Sequence, residues 1–71
     1  MDELSLELIA GMRLRKLIKE NYRTQQDFAD DYGLDIRSVS RYINSGIPTF
    51  QIVQELADFF HVDRMIFMKL D

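Results

Sequence analysis

Residues 24–44, TQQDFADDYGLDIRSVSRYIN, contain the start and end signals of two short helices. Thr24 is a favourable N-cap residue and Asp27 follows three positions later, so the first helix is predicted to begin at Gln25. Gly33 predicts the end of that helix, because a residue without Cβ adopts the left-handed backbone conformation at little cost. Asp35 is expected to cap the second helix.

The second helix is amphipathic. Its helical period places three apolar residues toward a core: Val39, Tyr42 and Ile43. The same period predicts an outward face made of Ile36, Arg37, Ser40 and Arg41. Two helices joined by a short turn with a glycine form a helix-turn-helix, whose second helix can lie in the major groove of DNA.

The segment resembles the helix-turn-helix of the phage repressor and Cro superfamily, often called XRE-type. The matching residues are Thr24, Gln25, Phe28, Ala29, Gly33, Val39, Ser40 and Arg41. The resemblance extends over about residues 11–67. It implies an all-α fold, a compact five-helix repressor-like domain, over residues 11–71. Residues 1–10 are then an N-terminal extension or the start of the first helix.

The first helix is predicted to end at Asn21 or Tyr22, with Asp2 or Ser5 as its cap and Gly11 as a possible true start. Relatives commonly carry a partly buried Arg–Glu ion pair at positions that here hold Ile18 and Ile43. Because both have become apolar, we expect these two side chains to contact each other.

The C-terminal part predicts two more helices. Thr49 caps the fourth, whose core stripe is Phe50, Val53, Leu56, Ala57 and Phe60. Asp63 caps the fifth, from Arg64 to Leu70, with Val62 and Phe67 in the core. His61 stands where the family usually has a C-terminal glycine.

Charge is unevenly distributed along the chain. The net charge is −3, whereas a nucleic-acid-binding domain usually carries a basic footprint. Basic residues nevertheless concentrate in the first helix and the link that follows it, at Arg13, Arg15, Lys16, Lys19 and Arg23. The sequence therefore predicts a basic surface on one side of an acidic protein, with Asp30 and Asp31 close to it.

A DNA-binding interpretation assigns roles to individual residues. Bases would be contacted by the outward face of the second helix: Ile36, Arg37, Ser40 and Arg41. The family's matching glutamine implies that Gln25 presents its amide to a phosphate. Weaker phosphate candidates are Arg23, Gln26, Ser38 and Asn44. Asn44 could instead be a helix C-cap, since asparagine tolerates the left-handed conformation.

Three apolar residues of the last helix, Met65, Ile66 and Met68, exceed what one core can use. Similar repressors dimerise through this region, so a homodimer interface is predicted there. Contact with another domain or protein is the alternative. The leucines before Gly11 pack on the domain's own surface or contribute to the dimer.

The sequence lacks the features that are typical of several classes of function. With no cysteine, one histidine and no Gly-rich phosphate loop, the sequence predicts no enzyme, cofactor, metal site or small-molecule substrate. No apolar run is long enough to span a membrane, and a cytoplasmic location is expected. The leading hypothesis is a phage- or prophage-type repressor that binds a two-fold DNA operator as a dimer. The alternative is a helix-turn-helix protein-interaction module, or an antagonist of another regulator, that acts through its apolar C-terminal helices.

Overall fold

A computed structural model describes residues 5–69 of the 71-residue chain. The elements are α1 (Leu6–Asn21), α2 (Gln25–Tyr32), α3 (Ile36–Ser45), α4 (Phe50–Phe60) and a 3-10 helix (Arg64–Met68). No strand occurs within these residues. The all-α prediction is confirmed, with four α-helices and one 3-10 helix in place of five helices.

The helix starts follow from side-chain capping. Ser5, Thr24, Asp35, Thr49 and Asp63 each accept a hydrogen bond from a backbone N–H in the first turn that follows, at 2.7–3.3 Å. These bonds satisfy N–H groups that have no partner inside the helix. The predicted starts of α2, α3 and α4 are thereby confirmed, and Asp2 lies outside the described residues.

Two helices end on residues in the left-handed helical conformation. Gly33 closes α2 at φ +86°, and its N–H donates to the carbonyl of Ala29. His61 closes α4 at φ 59°, in the position that the resemblance assigns to glycine. Asn44, by contrast, lies inside α3, which continues to Ser45 and is capped by Gly46. The interpretation of Asn44 as a C-cap is therefore wrong.

Gly11 lies within α1 rather than at its start. Residues 6–10 form the first turns of this helix, and Ala10 belongs to the core. A Cβ atom at Gly11 would stand 2.2 Å from the carbonyl oxygen of Tyr42 in α3. Gly11 thus permits a close approach of α1 to α3.

The core joins all five elements. Its largest fully buried side chains are Leu14, Phe28, Val39, Ile47, Leu56 and Phe67. The Phe28 ring stacks on Tyr32 and Phe60, at centroid distances of 5.3 and 5.6 Å, so that α2 is attached to α4 through aromatic contacts. Ile18 is buried and Ile43 packs partly buried against the same core. A direct contact between these two isoleucines stays a prediction.

One member of the predicted α4 stripe is not in the core. Phe50 is 65 % exposed, whereas Val53, Leu56 and Ala57 are buried. Helical side chains point back toward the N-terminus, so the first residue of α4 extends beyond the packed part of the helix.

The last element is shorter than the predicted helix from Arg64 to Leu70. It is a five-residue 3-10 helix, and Lys69 is already extended at φ −131°. The carbonyl oxygens of Ile66 and Lys69 accept hydrogen bonds from the Arg13 guanidinium, at 3.0 and 2.9 Å. The partner of these two carbonyls is thus a side chain of α1 and not a helical N–H group. Leu70 lies outside the described residues.

Candidate nucleic-acid interface

Helix α3 is held by one face and exposed on the other. Val39 is fully buried, and Tyr42 and Ile43 pack partly buried against the core. Arg37 and Arg41 are exposed on the opposite side, one helical turn apart. The burial of α3 thus presents two arginines side by side to solvent.

Other residues of α3 are less accessible. Ser38 and Ser40 are half-buried, and Asn44 is exposed in the last turn. Ile36 is half-buried and packs against the core, which differs from the outward orientation predicted for it. The reason is its place in the first turn of α3, where a side chain points back toward the N-terminal end of the helix; Leu34 of the preceding turn packs against the same core.

The start of α2 carries the other predicted phosphate contacts, and α2 packs against α3. Arg23 is exposed, and Gln25 is half-buried at the first helical position. Backbone N–H groups at a helix start favour anions. Gln26 is exposed, but its amide nitrogen donates to an Asp30 carboxylate oxygen at 2.9 Å. Any contact of Gln26 with a phosphate must therefore compete with this bond.

The two acidic residues predicted close to the basic surface both accept hydrogen bonds. Asp30 accepts from Gln26, and Asp31 accepts from the Tyr22 hydroxyl at 2.5 Å. The bond to Asp31, together with partial burial and the negative charge of this carboxylate, raises the pKa of Tyr22 to about 12. Tyr22 is therefore a neutral donor at physiological pH, and its bond ties the end of α1 to Asp31 in the last turn of α2.

Arg13 does not belong to the basic surface. Only 9 % of it is exposed, and its guanidinium donates to backbone carbonyls of the 3-10 helix and of Lys69. It ties α1 to the C-terminal part of the chain. Sequence reasoning missed this role because the partners lie 53 and 56 residues away.

The comparison with protein families decides the class of this protein. A helix-turn-helix family model matches residues 14–67, which include α2, the turn and α3. The chain belongs to the XRE-type helix-turn-helix family. Searches of curated protein sequences and of solved structures found no match to the chain.

Membership of the XRE-type family makes the protein a DNA-binding transcription regulator. Proteins of this family are not typically enzymes. In residues 5–69 of this XRE-type regulator, no group of three or more His, Cys, Asp or Glu residues could hold a metal ion. None of the described helices is long and apolar enough to cross a membrane.

The apolar residues predicted at a dimer interface of the XRE-type regulator do not form one uniform patch. Met65 and Ile66 are 51 % and 38 % exposed and line a shallow depression with Arg13, Asp63 and Lys69. Met68 is half-buried and lines a different groove with Leu6 and Phe50. The exposed apolar surface therefore lies on two sides of the 3-10 helix.

Proposed function

We propose that this XRE-type regulator is a phage- or prophage-type repressor that binds a two-fold operator as a dimer, with α3 in the major groove. The observation that carries the proposal is the orientation of α3. Burial of Val39 and the Asp35 cap fix the helix, while Arg37 and Arg41 extend from the opposite face. The phage assignment rests on the family resemblance.

Base recognition is assigned to the exposed face of α3. Arg37 and Arg41 each have the donor geometry for bidentate hydrogen bonds to guanine O6 and N7. Ser40 can bond to either base edge, and the solvent-facing part of Ile36 can contact a thymine methyl group. A good bidentate contact contributes about 1–3 kcal/mol of discrimination, which is roughly a 5- to 150-fold change in affinity.

Phosphate contacts are assigned to residues that flank this face. Gln25 and Arg23 lie at the start of α2, where helix N–H groups favour an anion. Asn44 is exposed at the other end of α3. Ser38, which is half-buried, and Gln26, whose amide also bonds to Asp30, are assigned weaker phosphate contacts. Such contacts set the orientation of α3 on the duplex without reading its sequence.

The dimer is assigned to the apolar surface around the 3-10 helix, with Met65 and Ile66 on one side of that helix and Met68 on the other. An operator whose half-sites are one helical turn apart requires the two α3 helices of the dimer to lie about 34–36 Å apart. Replacing Met65 with Glu should weaken the dimer in sedimentation equilibrium, because a charge would replace exposed apolar surface. An unchanged association constant would place the interface elsewhere.

The proposal is tested by selecting ligands from a random pool of double-stranded DNA at low and moderate salt. The wild-type protein should enrich a palindromic site. Arg37→Ala and Arg41→Ala should each lose about 5- to 150-fold in affinity for that site. Arg64→Ala is the matched control, because it removes an exposed arginine at the first position of the 3-10 helix. Failure to retain any DNA at low salt would contradict the repressor function.

A second candidate function is a protein-interaction module that binds another regulator. The observation that favours it is the exposure of Met65 and Ile66 on a protein with a net charge of −3. In that case the selection experiment should recover no DNA site, and the Met65→Glu variant should lose the bound protein partner.

A further inference from the structure

Three basic side chains of α1 have no role in the function proposed above. Arg15, Lys16 and Lys19 are exposed, and Arg15 and Lys19 lie one turn apart on the same side of the helix. Among residues 5–69, side-chain hydrogen bonds engage Arg13 and Arg64 but none of these three. Their charges therefore face solvent.

Arg15 and Lys19 line two adjacent depressions. The first lies between α1 and the end of α3, and its lining residues are Met12, Arg15, Lys16, Lys19, Ile43 and Asn44. The second lies between α1 and the start of α2, and its lining residues are Arg15, Ile18, Lys19, Tyr22, Arg23 and Gln25. The two depressions thus meet at the same pair of cations.

The lining of both depressions is free of carboxylates. Glu20, the acidic neighbour of Lys19 on α1, is absent from both linings. Asp30 and Asp31 are absent as well. Within a protein of net charge −3, this local excess of positive charge selects an anionic partner.

The position of the pair identifies the kind of anion. Asn44 lines one depression and Gln25 the other, and these residues are the phosphate contacts proposed at the two ends of the helix-turn-helix. Arg15 and Lys19 lie between them. The rise between the two residues along α1 is about 6 Å, so their long side chains can reach different phosphates.

We propose that Arg15 and Lys19, assisted by Lys16, bind phosphates of one DNA strand. These phosphates lie between the one that Gln25 contacts and the one that Asn44 contacts. This inference rests on the proposed function and extends its DNA footprint from the helix-turn-helix onto α1. The contacts neutralise phosphate charge and read no bases. They consequently raise affinity for every duplex and increase its dependence on salt.

The test measures the affinity of the purified protein for a fluorescently labelled random-sequence duplex between about 50 and 200 mM salt. Arg15→Gln and Lys19→Gln should each reduce the slope of log K against log salt by about 0.9 per bound protomer. Between about 50 and 200 mM salt, the fold-loss of affinity should therefore be about threefold smaller for each lost contact. The double variant should show about twice the effect.

The matched control is Arg64→Gln, which removes an exposed positive charge at the first position of the 3-10 helix. Its slope should equal that of the wild type. Far-UV circular dichroism should be unchanged in these variants, since each replaced side chain is exposed. For the operator recovered by selection, the ratio of specific to random-duplex affinity should also stay unchanged in the two α1 variants.

The outcomes separate this inference from the function on which it rests. If the wild type binds DNA and the α1 variants keep its slope, or if Arg64→Gln lowers the slope equally, the inference is overturned while the repressor function stands. If the wild type binds no duplex at low salt, both are overturned.

Discussion

The contact between α1 and α3 at Gly11 makes a quantitative prediction about stability. A Cβ atom at this position would lie 2.2 Å from the Tyr42 carbonyl oxygen and 3.3 Å from that of Ile43. Both obstacles are backbone atoms of the helix that carries Arg37 and Arg41. They cannot rotate away as a side chain would, so Gly11→Ala must move the two helices apart.

The expected cost follows from two opposing terms. Cβ atoms are essentially never found closer than 3.0 Å to such an atom, so the local separation must increase by 3.0 − 2.2 = 0.8 Å. Overpacking of this kind costs about 1–3 kcal/mol, and a backbone obstacle places the cost at the upper end. Alanine recovers about 1 kcal/mol through its higher helix propensity. The net loss in the free energy of unfolding should be about 2 kcal/mol.

Urea denaturation followed by far-UV circular dichroism measures this change. A loss of about 2 kcal/mol is a large part of the roughly 4–10 kcal/mol expected for a domain of this size. Glu20→Ala is the control, because it introduces the same residue at an exposed position of α1 and should change stability by less than about 0.5 kcal/mol. If Gly11→Ala instead stabilises the protein by about 1 kcal/mol, helix propensity alone operates and the close approach of α1 to α3 is refuted.

Two further predictions concern buried and perturbed polar groups. Arg13→Met should lower the free energy of unfolding by about 2–4 kcal/mol, because the carbonyls of Ile66 and Lys69 lose charged donors; an unchanged urea midpoint would contradict this. In an absorbance titration of phenolate, the component lost in Tyr22→Phe should titrate near pH 12, and Asp31→Asn should shift it toward 10. Since folding raises the pKa of Tyr22, the contribution of its neutral form to stability is complete below pH 10 and disappears as the pH rises through about 12. A Tyr22 component that already titrates near pH 10 in the wild type would contradict this prediction.

Local chemistry explains which parts of the fold were predictable. Thr24, Asp35 and Thr49 set helix starts through bonds to N–H groups two or three residues away, so a short stretch of sequence contains the whole signal. Gly33 similarly marks the end of α2 through its own backbone conformation. The helix-turn-helix could therefore be located to the residue.

Long-range geometry explains the failures. Arg13 has the sequence pattern of a solvent-exposed cation, but it is buried and bonds to carbonyls more than 50 residues away, in a segment that is a 3-10 helix and not the predicted α-helix. Phe50 fits a core stripe by spacing, yet it lies at the first position of α4, beyond the packed region. Helical periodicity predicts which face of a helix is buried, but not at which residue along the helix the burial begins or ends.

The candidate site shows the same division. The outward positions of Arg37 and Arg41 follow from the helical period around Val39 and could be predicted. The alignment of Arg15 and Lys19 with Asn44 and Gln25 depends on how α1 crosses α3 and α2, which no local pattern specifies. The basic residues of α1 were visible in the sequence, but their shared surface with the helix-turn-helix was not.

The central claim is that DNA binds the surface made by α3, the start of α2 and the basic side of α1. Nitrogen-15 NMR of the labelled protein, titrated with a random duplex at about 50 mM salt, tests this claim most directly. We expect amide shift changes around Gln25, Arg37, Arg41 and residues 15–19, with the 3-10 helix unaffected at the lowest DNA ratios. Shift changes confined to the region of Met65 and Ile66, or no changes at all, would contradict it.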